Sequence, residues 1–155
     1  MKVIIKYYKK ILLIFLGIVF VYLAIYIDVY LRAKQAYYNA EKYMDWYYHP
    51  DKKEKYLKEK YEKEKKELEE LFSKGKISQE EYKIKLELIE FNREFQLNES
   101  SLKYAYIWYK TAIDLFSKPE SKWVKLAREK IKKVKELWKE ELKQKGYEVE
   151  DYMLE

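Results

Sequence analysis

Acid-base chemistry in this chain has one imidazole, His49, and 27 carboxylates to draw on, and there is no cysteine. His49 precedes Pro50, which places it at a helix end. A turn or interfacial contact is the ordinary role of such a residue, and a catalytic base the rarer one. Nearly all the carboxylates have a lysine within one helical turn, the spacing of solvated pairs on a helix surface, which accounts for them without proton transfer to a substrate. Without cysteine, disulfides, thiol chemistry and cysteine metal sites are excluded, and a single histidine removes most zinc and haem arrangements. No glycine-rich phosphate loop, Ser/His/Asp set or Glu-x-x-His pair of the di-iron type occurs. The sequence therefore predicts no enzyme and no catalytic, metal or cofactor-binding residues.

What remains is binding chemistry of two kinds. Tyr106, Trp108, Tyr109, Trp123 and Trp138 are the aromatic side chains suited to a core or a partner surface. Lys122, Lys125, Arg128, Lys132, Lys133 and Lys135 form a basic stretch: ten basic and five acidic residues lie between Glu120 and Lys145. Six acidic residues against three basic ones fall between Ile77 and Glu99, and four acidic residues end the chain. One reading of the basic stretch is a nucleic-acid or anionic-lipid surface. The other, favoured by the dominance of lysine over arginine, is complementarity within the protein or between subunits, because the acidic tail 146–155 follows directly.

These residues need elements to carry them, and the composition names the kind. Three Gly and two Pro in 155 residues leave little material for turns, while Lys, Glu, Leu, Ala and Tyr run in long stretches, as they do in helices. The Lys/Glu-rich, cysteine-free composition resembles a thermophile's, and an AT-rich genome would give the same bias. About 120 residues beyond the first 30 or so suffice for one domain.

The run from Ile11 to Ile27 is uncharged and apolar, close to the shortest helix that crosses a bilayer, about 17 residues. Lys9 and Lys10 precede it, and Asp28 and Arg32 follow it. Tyr7, Tyr8, Tyr26 and Tyr30 stand where aromatic rings favour the headgroup region, and the lysines can snorkel. The run exceeds a signal-peptide core and lacks a small-x-small cleavage site, so an uncleaved anchor is expected. Lys2, Lys6, Lys9, Lys10 and the α-amino group outweigh Arg32, Lys34 and Lys42, so the expected orientation is N-terminus cytoplasmic and helical domain outside.

The helical pattern continues past the bilayer. Ala33, Ala36, Ala40, Tyr43 and Tyr47 recur at spacings of three and four, a stripe that lets a second helix approach closely. It serves either the protein's own later helices or a partner subunit. Nothing interrupts the helix before His49-Pro50. Segment 51–76 reads as a solvated helix with Leu57, Tyr61, Leu68, Leu71 and Phe72 along one edge, closed by Gly75. Ser78 with Glu81 is a capping box that starts the next helix. There Ile84, Leu88, Phe91 and Phe95 form one stripe and Tyr82, Leu86 and Ile89 another, a broad face expected to be buried. Asn98-Glu99-Ser100-Ser101 restarts the chain; Asn98-Glu99-Ser100 also fits a glycosylation sequon, a pattern common by chance. The helix from Leu102 to Phe116 is apolar nearly all round and should be the centre of the core. Ser117-Lys118-Pro119-Glu120 reads as a second capping box. The last helix carries Trp123, Ala127, Ile131, Val134, Trp138 and Leu142 and should end at Gly146.

The segment from Leu68 to Tyr82, with its leucines, Gly75, Ile77-Ser78 and Glu81-Tyr82, resembles the SHOCT helix-hairpin motif, which implies an antiparallel helix pair and no chemistry. Leu102 to Trp138 resembles the tetratricopeptide-repeat family: Tyr109 to Phe116 looks like the second helix of a repeat, Pro119 like its closing proline, and Trp123, Leu126 and Ala127 like the start of the next. Lys130 stands near the family's aromatic position, and a second copy at a period of about 34 residues is not evident. The resemblance implies a helical-hairpin surface for proteins or peptides.

The expected architecture is all-α. A basic segment 1–10 leads into a transmembrane helix 11–30, continued as a stalk 31–48, then a tetratricopeptide-like bundle of about four helices over 50–145 and the acidic tail 146–155. The expected partners are the lipid bilayer and other protein subunits in a hetero- or homo-oligomer. The expected role is a membrane-anchored scaffold or accessory subunit, with a tethered cytoplasmic module binding nucleic acid or anionic lipid as the alternative.

Overall fold

A computed structural model describes the backbone of residues 2–150, the Lys10 side chain and the side chains of 12–150. The described residues form five α-helices and no strand: α1 (Lys2–Tyr48), α2 (Pro50–Ser73), α3 (Gln79–Asn98), α4 (Ser101–Leu115) and α5 (Lys122–Gln144). The all-α architecture and the single helix running from the apolar segment to Tyr48 are as the sequence predicts. The basic segment is helical from Lys2 onward, part of α1. The side chain of Lys9 and residues 151–155 of the acidic tail lie outside the described residues.

Helix ends follow local chemistry. Pro50 opens α2 at its first position, where the missing N–H costs nothing. Gly75, at φ +65°, ends α2, with Lys76 N donating to Leu71 O at 3.0 Å; Gly146, at φ +84°, ends α5, with Tyr147 N donating to Leu142 O at 3.0 Å. Only glycine adopts that left-handed conformation freely, and each turn answers a carbonyl the helix leaves open. At α3, Glu81 N donates to Ser78 Oγ at 3.2 Å and Ser78 N to Glu81 Oε2 at 3.1 Å, the reciprocal capping box. The expected box at Ser117 is not used: α5 begins at Lys122, and Ser121 caps it by accepting from Val124 N. Lys118, as the residue before Pro119, is disfavoured in the helical conformation that a start at Ser117 demands.

The chain divides into two compact units. One comprises Met1–Ala40 with Tyr106–Glu155, the other Glu41–Ala105. The bundle expected over 50–145 is thus shared between them.

In the first unit, every side chain from Leu12 to Asp28 is exposed, and the helix is long and apolar enough to cross a membrane. Asp28 and Arg32 pair at 2.8 Å just beyond the apolar run. From there the surface of α1 changes: Ala33, Ala36, Tyr37 and Ala40, spaced as one helical stripe, are buried. Tyr37 meets Tyr109 of α4 at 5.8 Å and Trp123 of α5 at 5.6 Å between ring centroids. The protein's own helices therefore occupy the upper part of the alanine stripe, rather than leaving it as a free partner face. Val124, Ala127 and Val134 of α5 are buried with Tyr106, Tyr109 and Ala112 of α4, and Tyr106 lies 5.5 Å from Trp138.

In the second unit, α2 and α3 form an antiparallel hairpin around Gly75. Leu57 and Leu68 of α2 are buried, while Leu71 and Phe72, expected on the same edge, are exposed. Facing α2 are Tyr82, Leu86, Ile89, Arg93 and Gln96, all half-buried. The other stripe, Ile84, Leu88, Phe91 and Phe95, is exposed, and α3 has no buried residue. The expected burial of a broad α3 face is thus corrected. A hairpin partner covers one stripe of a helix, and α2 takes the one centred on Leu86.

Candidate functional site

The α3 stripe is the most conspicuous surface that the fold builds. Ile84 is 66% exposed, Leu88 55%, Phe91 63% and Phe95 48%. Their spacing of four, three and four puts them in one row along the helix, and the rings of Phe91 and Phe95 lie stacked, 6.2 Å apart, on the outside. Contiguous exposed apolar side chains of this size are commoner at binding sites than elsewhere on a protein surface. Its support is firm. Lys53 of α2 is buried and donates from Nζ to Leu97 O at 2.9 Å and to Glu99 O at 2.6 Å, so its charge sits on the negative C-terminal end of α3. Arg93 stacks over Tyr61 at 5.1 Å on the α2 side.

Beside the Phe95 end lies a cleft of about 380 Å³ lined by Tyr43, Trp46, Lys53, Asn92, Phe95, Gln96, Ser101 and Tyr104. Tyr43 stacks on Tyr104 at 5.1 Å, and Trp46, buried, meets Tyr56 at 5.2 Å. The Lys42 ammonium rests 4.5 Å from the Trp46 ring centre. Burial, and then the nearby Lys60 charge, hold the Lys42 amine below the usual lysine range; burial, then Tyr104 and Tyr56, raise the Tyr43 phenol. Tyr43 is half-buried and Tyr47 exposed, so the stripe foreseen along α1 passes here to Tyr43 and Trp46, whose rings lie 5.1 Å apart.

Trp123 is the hub of the second aromatic cluster. Its ring lies 6.5 Å from Tyr30, 5.6 Å from Tyr37 and 5.2 Å from Tyr38, with Lys122 over it at 4.5 Å and Lys34 at 5.9 Å. Among the sequence candidates, Tyr106 and Tyr109 are buried in the core and Trp108 and Trp138 half-buried. Lys122, Lys125, Arg128, Lys132 and Lys133 are exposed and Lys135 half-buried. Glu120 holds Arg128 and lies 4.0 Å from Lys125, and exposed Glu129 and Glu136 interrupt the row. The basic row is thus interrupted by acidic residues and partly paired.

His49 sits exposed between α1 and α2. Its Nδ1 is 2.9 Å from Asp45 Oδ1, and Lys52 Nζ is 2.8 Å from the same oxygen. The Lys52 hydrogen bond, foremost, holds the Asp45 carboxyl below the usual aspartate range. The contacts join the last turn of α1 to the first turn of α2. Among the described residues no group of three His, Asp or Glu side chains gathers as a metal site would require.

Sequence reasoning missed five buried residues, Tyr37, Trp46, Lys53, Ser121 and Val124. Tyr37 and Trp46 sit one position from stripe members, and Lys53 looked like one more solvated lysine. Comparisons with family models, curated proteins and solved structures find no match to this chain.

Proposed function

We propose that this protein is a single-pass, membrane-anchored helical scaffold, an accessory or assembly subunit that joins a larger membrane complex through protein contacts. The exposed row Ile84, Leu88, Phe91 and Phe95 carries the reading. An amphipathic partner helix laying its apolar face along α3 matches that row, since helix-in-groove recognition uses anchors at spacings of three and four. Residues 12–27 of α1 supply the anchor, with the N-terminus in the cytoplasm and the helical units outside, the orientation favoured by the basic residues ahead of the run. The mixed charge of α5 ranks nucleic-acid binding below protein contact.

Native mass analysis after gentle detergent extraction tests this. The expected result is an assembly heavier than the 19.3 kDa chain, and its loss in a Leu88→Glu, Phe91→Glu double variant that keeps full helicity. A lone chain in the unaltered protein, extracted under conditions that preserve other membrane complexes, contradicts it.

A further inference from the structure

We infer that the turn between α4 and α5, residues 116–121, together with Leu115 and Lys122 at its two ends, is a second membrane contact that rests in the lipid headgroup layer beside the end of α1's apolar run. The inference rests on the reading of α1 as a membrane span, and it concerns the first unit alone.

The height of the turn follows from ring contacts. Along the hairpin of α4 and α5, Tyr106 pairs with Trp138 far from the turn. Nearer to it, Tyr109 and the Lys130 ammonium both lie against Tyr37 of α1, at 5.8 Å and 5.4 Å. At the turn end, Trp123 lies 5.2 Å from Tyr38 and 5.6 Å from Tyr37 and reaches down to Tyr30, at 6.5 Å. Moving along the hairpin toward its turn is therefore moving down α1 toward the apolar run. Tyr30 is three residues past Ile27, about 4.5 Å at 1.5 Å per residue. The headgroup layer on each side of a hydrocarbon core about 30 Å thick is about 5–7 Å deep, so the turn falls within it.

Its side chains suit that layer. Leu115 is 70% exposed at the end of α4, with no cover from the protein. Phe116 is half-buried, and Lys118 and Lys122 are exposed. Neither lysine has a carboxylate partner among the described residues, so both are placed to meet lipid phosphates. Tyr30, half-buried beside the turn, supplies an aromatic ring that favours this depth. The apolar run is also short: about 17 residues rise about 25 Å, less than the hydrocarbon thickness, and a short span draws its flanks into the interface. The result is a protein held at two points, so that the first unit cannot swing freely about a single helix.

The sequence has no cysteine, so one introduced cysteine carries one fluorophore in the full chain, reconstituted in phosphatidylcholine vesicles containing phosphatidylglycerol. Three positions are compared, all exposed: Leu115→Cys, Phe20→Cys in the apolar run and Glu140→Cys near the far end of α5. The Leu115→Cys label should lose fluorescence to lipids carrying a nitroxide on the headgroup, the Phe20→Cys label to lipids carrying it deep in the acyl chain, and the Glu140→Cys label to neither. If Phe20→Cys is quenched from the acyl chain while Leu115→Cys behaves like Glu140→Cys, the inference is overturned and the span stands. If Phe20→Cys escapes acyl-chain quenching, the span fails and the inference falls with it.

Discussion

Replacing Trp123 by alanine removes the α5 residue around which three tyrosine rings of α1 gather. Trp123 is 9% exposed and has Tyr30, Tyr37 and Tyr38 as ring neighbours. Truncating a buried tryptophan to alanine costs about 3–5 kcal/mol, made up of lost transfer energy and the cavity left behind. Each aromatic pair contributes about 0.5–1.5 kcal/mol beyond its area, which places this site in the upper part of that range. Hydrogen exchange of the full chain in detergent reads it locally: at about 1.4 kcal/mol per factor of ten, the amides of Ala127 and Val134 should exchange about three to four orders of magnitude faster. Trp123→Phe makes the reasoning sharper. The indole Nε1 is buried with no hydrogen-bond partner among the described residues. Phenylalanine removes that unanswered donor, worth about 1–3 kcal/mol, and so offsets its smaller area. Trp123→Phe should stay within about 1.5 kcal/mol of the parent protein. If Trp123→Ala changes exchange by less than about tenfold, the cluster is not the keystone of the first unit.

Three further outcomes follow from the second unit. Lys53→Met leaves the Leu97 and Glu99 carbonyls without their ammonium donor and should destabilise the α2–α3 hairpin by about 1–3 kcal/mol, read as a lower urea midpoint with the losses centred on the end of α3. Ser78→Ala removes one half of the capping box and should cost about 1 kcal/mol, with exchange quickened in the first turn of α3 rather than its last. Asp45 has a carboxyl pKa depressed in the folded state, so its contribution is present above the unfolded value and is lost as pH falls through the lower folded one. In Lys52→Met the Asp45 carboxyl should titrate closer to the ordinary aspartate range by NMR; an unmoved titration would show that Lys52 does not set it.

The ends of helices were legible in the sequence because their causes are local. Gly75, Gly146, Ser78 with Glu81, and His49-Pro50 each fall where the structure starts or stops a helix, for reasons contained in about five neighbouring residues. Packing was legible only where one stripe was available. The α1 alanines had no rival, so Ala33, Ala36 and Ala40 were identified as a contact face, whereas α3 carried two apolar stripes and nothing local tells which one α2 covers. Ser117 was read as the cap of α5, whereas Ser121, four residues on, takes that role, as the restriction that Pro119 places on Lys118 favours. Lys53 was invisible as a buried residue because its partners, Leu97 and Glu99, stand more than forty positions away. The exposed row on α3 was thus read correctly as apolar and wrongly as core.

The central claim, that the α3 row holds a protein partner, meets its most direct test in intact membranes. A photo-crosslinking residue is placed at Phe91, or at Glu90, about 100° away around the same helix. The account predicts that position 91 joins the chain to a protein in a single product of defined mass, and that position 90 does so weakly or not at all. Crosslinking from position 91 to lipid alone, or to nothing, would contradict it.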